Sequence, residues 1–341
     1  MRIGIDVGGT HTDAVILDDQ IVMASTKVLT SKNVKDGVIN ALDEVLSESG
    51  IDCHAIDAVM IGTTQFTNAV VQRRELAPTA IIRIALPSGE MVPPMLDWPD
   101  DIADELGRHI YMIHGGKTYD GFPIAPLQDD EIDAAVDDIV AKGVRLVAVV
   151  GVFSPSDPTQ EQYVAARISA RHPELRITLS HSIGRMGILE RENAALLNAS
   201  LLPLADKVVS SFASALQERD IKCPFYISQN DGTLMSADFA AEFPALTFAS
   251  GPTNSLRGAS LLTQLDNAVV VDIGGTTSDI GVLQDGFPRQ SNIAIEVGGV
   301  RTNFRMPDIQ SIGLGGGSLV KDGGATIGPQ SVGYRLVEDG L

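Results

Sequence analysis

One nine-residue pattern occurs twice in this chain. Residues 5–13 read IDVGGTHTD and residues 271–279 read VDIGGTTSD, an offset of 266 positions. A short β-branched run precedes each copy and another follows it, which predicts strand, tight glycine turn, strand. Each copy has one Asp at the tip of its first strand and a second Asp just after the turn. Two such turns that face each other can hold the phosphates of one nucleotide, so the repeat predicts an ATP-using protein built from two related halves.

Length and composition fit an α/β protein with two domains. The chain has 341 residues, of which 44% are apolar and only 5% aromatic. This balance is typical of β-branched strands covered by Ala- and Leu-rich helices, so we predict mixed sheets flanked by helices, with a cleft between the halves. No run of about 18 or more apolar residues occurs and the first residues lack a signal-peptide pattern, which predicts a cytoplasmic protein without membrane spans.

The chain is strongly acidic. Its formal net charge of −19 argues against nucleic acid or an anionic membrane as a partner. An acidic protein that binds a polyphosphate needs local compensation, for which backbone N–H groups and a divalent cation are suited. The two cysteines, Cys53 and Cys223, are far apart in sequence and match no metal-binding spacing, which predicts reduced thiols.

Alternating strand and helix patterns fill most of the chain between the two glycine turns. A proline-rich stretch over 87–126 interrupts them and predicts an insertion that packs over the domain, with a lid as one option. A long helical pattern follows over 189–218, and Pro203 inside it predicts a kink or a break. We place the domain boundary at this helix, which gives an N-terminal domain over 1–188 and a second domain over 189–341 that looks incomplete at its C-terminus.

The glycines of the two turns suit phosphate binding. A glycine at a strand tip lets the backbone fold tightly and approach a ligand with no Cβ in the way. The exposed N–H groups can then donate to phosphate oxygens, and charge-assisted hydrogen bonds of this kind contribute roughly 1.5–3 kcal/mol each. A single Gly-Gly-Thr turn also fits an ordinary hairpin, and it is the duplication that favours a nucleotide. The predicted phosphate contacts are Gly8, Gly9, Thr10, Gly274, Gly275, Thr276 and Thr277.

The aspartates of the repeat indicate a bound cation. A carboxylate about 4 Å from a phosphate charge is repelled by about 4 kcal/mol at an effective dielectric constant of about 20. Two such carboxylates beside one triphosphate therefore require a cation between them, and Mg²⁺ is the natural choice. Asp6 and Asp272 are the predicted metal residues. Asp13 and Asp279 follow the turns, where they either cap the hairpins or face the metal, and all four aspartates are predicted catalytic residues.

Further motifs follow in a definite order along the chain. They are GTTQFTNA at 62–69, SHS at 180–182, ER at 190–191, LNA at 197–199, QNDGTLM at 229–235, SGP at 250–252 and GLGGGS at 313–318. The glycine repeat resembles the phosphate-1 and phosphate-2 loops of the superfamily that contains sugar and acetate kinases, actin and the heat-shock chaperone ATPases. The remaining motifs resemble the hydantoinase/oxoprolinase family, in its A-type, ATP-binding subunit, and they cover nearly the whole chain.

The resemblance implies a two-domain actin-like ATPase fold with a duplicated ribonuclease H-like motif. It also implies ATP and Mg²⁺ in the cleft between the domains, with Asp6 and Asp272 holding the metal through water. The implied activity is ATP-dependent hydrolysis of a cyclic amide, such as a hydantoin or 5-oxoproline, through phosphorylation of the amide carbonyl. A B-type hydantoinase subunit is an implied partner, and a homo-oligomer is left open.

The glycine run at 313–318 has two interpretations. Gly315, Gly316 and Gly317 either cradle the nucleotide or form a flexible crossing between layers, and the pattern favours the first.

Four residues are predicted substrate contacts, each with a structural alternative. Thr63, Thr64 and Asn68 begin a helix whose positive end suits a carbonyl or a carboxylate, although Thr63 can simply cap that helix. His181 follows a strand and can orient a substrate or act as an acid–base, but a lone His is more often structural. The pair at 190–191 is interpreted as a helix-surface pair.

Other functions on the same scaffold stay open. A small-molecule kinase needs a carboxylate base at the substrate hydroxyl, and no Asp in the first half stands out for that role. A nucleotide-gated binding protein is expected to turn ATP over slowly and without response to cyclic amides. The ATP-using subunit of a ketone carboxylase requires bicarbonate and partner subunits.

Overall fold

The computed structural model describes residues 1–8, 11–29, 34–275 and 277–332. Its α-helices are α1 (Val34–Ser49), α2 (Gln65–Gln72), α3 (Asp100–Leu106), α4 (Asp129–Ala141), α5 (Thr159–Arg171), α6 (Ile188–Glu218), α7 (Ala237–Glu242) and α8 (Ser250–Thr263). Its strands are β1 (Arg2–Val7), β2 (His11–Asp18), β3 (Ile21–Leu29), β4 (Ala58–Thr63), β5 (Thr79–Leu86), β6 (His109–His114), β7 (Leu146–Gly151), β8 (Arg176–Leu179), β9 (Phe225–Ser228), β10 (Leu234–Ser236), β11 (Ala268–Ile273), β12 (Ser278–Gln284), β13 (Phe287–Pro288), β14 (Ile295–Val297), β15 (Val300–Thr302), β16 (Ile309–Ile312), β17 (Ser318–Lys321) and β18 (Thr326–Ser331). No described helix is long and apolar enough to cross a membrane. Cys53 and Cys223 are both free thiols.

The first sheet contains the strands of the first glycine turn. Its six strands lie in the order β10-β9-β4-β1-β2-β3, with β1 antiparallel to β2 and parallel to β4. Side chains alternate between the two faces of a strand. Ile3, Ile5 and Val7 point into a core that α1 covers, where they are 0%, 4% and 1% exposed. Asp6 therefore lies on the opposite face of this sheet.

A second, parallel sheet is inserted between β4 and β9 of the first. Its strands lie in the order β6-β5-β7-β8. Apolar side chains of α4 and α5 pack on one face of this sheet, and those of α6 pack on the other. Every residue of β7 (LVAVVG) is buried, as expected for a parallel strand that is covered on both faces.

The stretch over 87–126, whose role as an insertion stays a prediction, contains regular structure. It contributes helix α3 and strand β6, and β6 pairs in parallel with β5 as an edge strand of the second sheet. Trp98, Ile102 and Leu106 are buried in the main core. The six prolines of this stretch lie in the connections before α3 and after β6, where they leave both elements intact.

Strands from both sides of residue 188 pair within one sheet. The domain boundary at 188 stays a prediction. β9 lies beyond that boundary in sequence and pairs in parallel with β4 of the first sheet, and β10 pairs with β9. The predicted break at Pro203 is absent, because α6 is one helix over Ile188–Glu218. Pro203 itself lies on the exposed side of α6, so its ring is directed away from the packed face of the helix.

The second glycine turn belongs to a smaller sheet. Here β11 pairs with β12, and β12 pairs with β13 and β16. The β11 side chains Val269, Val271 and Ile273 correspond to the buried apolar residues of β1, yet they are 68%, 51% and 69% exposed. The helical layer that covers β1 therefore has no counterpart on β11 within the described residues.

Candidate functional site

The two glycine turns are closed by the same backbone hydrogen bond. In the first turn, the Gly8 N–H donates to the carbonyl of His11 over 3.0 Å. In the second, the Gly274 N–H donates to the carbonyl of Thr277 over 2.9 Å. A Cβ on Gly8 would lie 2.9 Å from the His11 carbonyl oxygen, so the first turn requires glycine there. The repeat in sequence thus recurs in the paired strands and in the hydrogen bond that closes each turn. Three predicted phosphate contacts lie outside the described residues: Gly9, Thr10 and Thr276.

The four aspartates form two cross-strand pairs. In the strand register Asp6 lies opposite Asp13, and Asp272 lies opposite Asp279. Asp13 also forms an ion pair with Lys27 of β3, whose Nζ is 2.9 Å from Oδ1. Asp279 accepts a hydrogen bond from a serine of β16. The aspartate that follows each turn is thus held by a side chain from the neighbouring strand.

Asp6 carries an unsatisfied carboxylate oxygen. Its Oδ1 atom is buried and has no hydrogen-bond partner among the described residues. Burial is the main cause that raises the pKa of Asp6, and the charges of Asp13 and Asp272 raise it further, while Lys27 opposes them. A buried oxygen without a partner costs about 1–3 kcal/mol, and a hard cation relieves this because carboxylate oxygens are its preferred ligands. The influence of Asp272 also means that the second hairpin lies within electrostatic reach of the first.

Gly62, at the end of β4, keeps space open beside Asp6. A Cβ there would lie 2.7 Å from Asp6 Oδ1 and 2.5 Å from Asn254 Nδ2. Asn254 belongs to α8 and borders, together with Asp6 and Lys27, a cavity of about 640 Å³ on this face of the first sheet. The sequence analysis did not predict Asn254 as a site residue. The SGP motif at 250–252, at the start of the same helix, is the sequence feature that lies nearest to it.

The predicted substrate contacts Thr63, Thr64 and Asn68 lie at the junction of β4 and α2. Thr63 is buried and its Oγ1 accepts the N–H of Gln65, the first residue of α2, over 3.3 Å, whereas the N-cap position is Thr64, whose side chain makes no capping bond. The Thr64 N–H donates to the carbonyl of Val7 over 3.3 Å, and Asn68 Nδ2 donates to Thr64 Oγ1 over 3.3 Å. The three residues are therefore next to the first glycine turn, and their contact with a substrate stays a prediction.

The glycine run at 313–318 packs against the second turn. The N–H groups of Gly316 and Gly317 donate to the carbonyls of Gly274 and Gly275 over 2.9 Å and 2.8 Å. The N–H of Gly315 donates to a serine hydroxyl of the same run over 2.8 Å. These groups are engaged within the protein, so the run supports the backbone of the second turn. A direct contact of the run with a nucleotide stays a prediction.

His181 belongs to a buried polar network. Its main-chain N–H and its ring Nδ1 lie 3.1 Å and 2.6 Å from Oε2 of Glu161. Oε1 of Glu161 accepts the Gly151 N–H over 2.7 Å and the Ser180 hydroxyl over 2.5 Å. Burial alone would raise the pKa of Glu161, but hydrogen bonds from His181 and from two serines outweigh it and lower that pKa. Because an ionised carboxylate only accepts, Nδ1 of His181 donates, and Nε2 is left to exchange a proton.

Glu161 is absent from the sequence-based site, although one signal was available. The buried positions of α5 are Glu161, Val164 and Ile168, which follow the spacing of an apolar helical stripe. A carboxylate in such a stripe is buried at considerable cost unless it is paired and hydrogen-bonded, so it marks a polar network in the core.

Arg191 completes this network and corrects one prediction. Its side chain is buried and its Nε donates to Ser180 Oγ over 2.9 Å, while burial lowers its pKa. The interpretation as a helix-surface pair is therefore wrong for Arg191, whereas Glu190 forms an ion pair with Arg301 over 3.0 Å. No hydrogen bond between described residues joins His181 to the predicted substrate contacts of α2.

Known proteins are similar to this chain over nearly its whole length. The model of the hydantoinase/oxoprolinase N-terminal region matches residues 2–171, and the hydantoinase/oxoprolinase model matches residues 191–337. Caprolactamase subunit alpha of Pseudomonas jessenii is 25% identical over 97% of this chain and 51% of its own length. The acetophenone carboxylase gamma subunit of Aromatoleum aromaticum is 25% identical over 97% and 49%. The 5-oxoprolinase of Dictyostelium discoideum is 24% identical over 98% and 31%. The chain thus spans about half the length of these curated relatives, or less.

Two solved structures have a similar fold. The ATP-dependent caprolactamase from Pseudomonas jessenii has a TM-score of 0.82 and 23% identity, over 98% of this chain and 52% of that chain. Nucleotide-free acetone carboxylase has a TM-score of 0.74 and 21% identity, over 98% of this chain and 51% of that chain. Together with the sheets flanked by helices, this similarity confirms the predicted fold class.

Proposed function

Because the chain belongs to the hydantoinase/oxoprolinase family, we propose that it uses ATP to activate a cyclic amide for ring opening. The observation that carries this proposal is the duplicated hairpin with its four aspartates, in which Asp6 keeps an unsatisfied buried oxygen. The names of two relatives, caprolactamase and 5-oxoprolinase, support a cyclic amide as the class of substrate.

The two hairpins are the proposed site of ATP and Mg²⁺. Asp6 and Asp272 would hold the metal through water, with Asp13 and Asp279 beside them on the paired strands. Mg²⁺ bound there would offset the negative charge of the phosphates. Backbone N–H groups of the two turns bind the phosphates directly, and the glycine run steadies the second turn.

The proposed reaction overcomes the resonance that stabilises an amide. The carbonyl oxygen attacks the γ-phosphorus of ATP, the bond from that phosphorus to the bridging oxygen breaks, and ADP leaves. Water then adds to the activated carbon, the C–N bond breaks, and a proton moves to nitrogen. A second water hydrolyses the resulting acyl phosphate, so the products are the ring-opened acid, ADP and phosphate.

Residues at two places are proposed to handle the substrate. Thr63, Thr64 and Asn68 bind the ring carbonyl, because they lie together at the start of α2, whose positive end is beside the first turn. His181 moves the proton, since the ionised Glu161 fixes its ring and leaves Nε2 available. A partner subunit of the B type is also proposed, because two relatives are themselves named as subunits.

A ketone carboxylase is the second candidate function. It is favoured by the similarity to the acetophenone carboxylase gamma subunit and to the fold of acetone carboxylase. Both candidates use the same ATP site, because a ketone oxygen or bicarbonate can accept the γ-phosphoryl group in place of an amide carbonyl. The two candidate functions differ in that only the ketone carboxylase requires bicarbonate for substrate-stimulated ATP turnover.

An ATP-turnover assay with a substrate panel tests the proposal. The full-length protein, with any subunit that purifies with it, is given Mg²⁺, ATP and one of hydantoin, 5-oxoproline, caprolactam, acetone or acetophenone, with and without bicarbonate. We expect a cyclic amide to stimulate ADP release and to open in an equal amount. Stimulation by a ketone only with bicarbonate would favour the carboxylase. ATP turnover that ignores every compound would contradict both candidates and favour a nucleotide-gated binding protein.

A further inference from the structure

A second cavity lies apart from the one beside Asp6. Its volume is about 330 Å³, and it is bounded by the segment after β8, by the turn after β9 and by a residue beyond β15. Its polar lining includes Ser182, Arg185, Gln229, Asp231 and Arg305, and none of its lining residues borders the cavity at Asp6. A space of this size is in the range that holds small ligands, roughly 300–1,000 Å³.

Two unpaired arginines give this cavity a positive charge. Neither Arg185 nor Arg305 forms an ion pair with a carboxylate in the part of the chain that the structure describes, whereas other arginines do, such as Arg289 with Asp308. The one acidic residue of the lining, Asp231, uses Oδ1 to accept the N–H and the hydroxyl of a threonine two residues later, over 3.0 Å and 2.6 Å. In a chain with a net charge of −19, a small cavity with two available guanidinium groups favours an anion.

The backbones that carry these arginines are held in position. The Arg185 N–H donates to Asn303 Oδ1 over 3.2 Å, and its carbonyl accepts from Asn303 Nδ2 over 3.1 Å. Arg305 lies between Phe304 and Met306, which are 4% and 7% exposed. Phe304 also packs edge-on against Phe248, at 5.5 Å between ring centres. Binding an anion therefore requires ordering of the side-chain ends but no rearrangement of the main chain.

The cavity wall continues to both groups of proposed substrate contacts. Ser182 of the lining directly follows His181. On the other side, the side chain of Asn230 accepts the N–H of Ala249 over 2.7 Å, and the next residue, Ser250, donates to the carbonyl of Thr63 over 3.2 Å. The cavity is thus bordered by the residue that follows the acid–base candidate, and hydrogen bonds through Ala249 and Ser250 connect its wall to Thr63, which precedes α2.

We propose that Arg185 and Arg305 bind a carboxylate, so that the substrate is a cyclic amide that carries a carboxylate group. This inference rests on the proposed function and deepens it by separating a substrate such as 5-oxoproline from a neutral lactam. Guanidinium groups suit this task because their planar donors match a carboxylate in two parallel hydrogen bonds.

Matched ligand pairs test the inference by calorimetric binding. The full-length protein with its co-purifying subunits is titrated with 5-oxoproline and with 2-pyrrolidinone, which differ only in the carboxylate, and then with hydantoin-5-acetate and hydantoin. We expect the anionic member of a pair to bind about tenfold or more tightly than the neutral one. Arg185→Gln and Arg305→Gln should each weaken the anion about tenfold and leave the neutral ring unchanged.

A control variant and a second readout make the outcomes distinct. Arg145→Gln alters an exposed arginine whose partner is 3.6 Å away, and it should bind all four compounds like the wild type. Equal binding within both pairs, no saturable binding of either anion, or wild-type affinity in both cavity variants would overturn the carboxylate site. ATP turnover is measured in parallel: arginine-dependent binding of the anion without stimulated turnover leaves the site intact and contradicts the proposed function instead.

Discussion

Replacing Asp6 by Asn separates stability from metal binding at the first glycine turn. Without metal, the buried Oδ1 of Asp6 has no partner among the described residues, and burial, followed by Asp13 and Asp272, raises its pKa. Because the folded pKa is above the ordinary value, Asp6 lowers stability as pH rises past the unfolded pKa, and the loss is complete above the folded pKa. Asn carries no charge. Asp6→Asn therefore removes a buried charge and its repulsion from Asp13 and Asp272, and we expect it to raise the free energy of unfolding at neutral pH by about 1–3 kcal/mol, the order of the desolvation penalty of a buried polar group.

Thermal unfolding in the presence of EDTA measures this gain. It corresponds to an increase in Tm of about 2–4 °C for each kcal/mol in domains of roughly 150–250 residues. The gain should disappear at a pH below the unfolded pKa of aspartate, where Asp6 is neutral in both states. With Mg²⁺ and ATP added, the wild type should become more stable because ligands that bind only the folded state raise its stability, whereas Asp6→Asn should not respond.

Asp18→Asn is the matched control. It removes the same charge from the same hairpin, but at the exposed end of β2, so both its stability and its response to Mg²⁺ and ATP should equal those of the wild type. The reasoning is refuted if Asp6→Asn is less stable than the wild type in EDTA, or if Mg²⁺ and ATP stabilise it as strongly as they stabilise the wild type.

Three further substitutions test the site and its support. Asp272→Ala should abolish Mg²⁺-dependent ATP turnover and leave the unfolding midpoint close to that of the wild type, because Asp272 is only half-buried; unaltered turnover would remove Asp272 from the metal site. Glu161→Gln should lower the free energy of unfolding at neutral pH by about 1.5–3 kcal/mol, as expected for hydrogen bonds to a charged group. Because the folded pKa of Glu161 is lowered, its stabilising contribution is present above the unfolded pKa and should be lost as pH falls through the folded pKa. Urea unfolding of the wild type and of Glu161→Gln at neutral and at acid pH measures this loss. A stability difference between the two proteins that is the same at both pH values would contradict an ionised Glu161. Gly62→Ala should lower stability by about 1–3 kcal/mol, because its Cβ would lie 2.7 Å from Asp6 Oδ1. Gly258→Ala in α8, which has open space around it, should instead raise stability by about 0.5–1 kcal/mol, and equal thermal midpoints for these two variants would refute the steric argument.

Features that depend on neighbouring residues could be predicted from the sequence. Both glycine hairpins form where the pattern placed them, and their cross-strand aspartate pairs follow from the turn that joins each pair of strands. The long helix α6 was recognised over nearly its full extent. Local propensity and alternation determine these features, so a single sequence contains the information.

Features that depend on distant residues were missed. β9 pairs with β4 across about 160 residues, and nothing in the composition of a short strand specifies a partner that far away. The edge strand β6 was not predicted, because it lies within the proline-rich stretch over 87–126. In the candidate site, Glu161 becomes a buried anion only because α5 brings it to His181 and Ser180. The unsatisfied oxygen of Asp6 is likewise a property of the packed sheet and not of the motif.

The interruption of the first sheet affects how the protein folds. β4 ends at Thr63 and its parallel neighbour β9 begins at Phe225, so an unstructured connection of about 160 residues would cost roughly 4–5 kcal/mol in closure entropy. The inserted parallel sheet has its own apolar cluster, and if it forms first it shortens the segment that remains to be ordered. We therefore expect slow assembly in which the hairpin around Asp6 forms early but its supporting sheet is completed late. Substitutions that weaken the apolar cluster of the inserted sheet should then reduce the yield of active protein, even where every residue near Asp6 is unchanged.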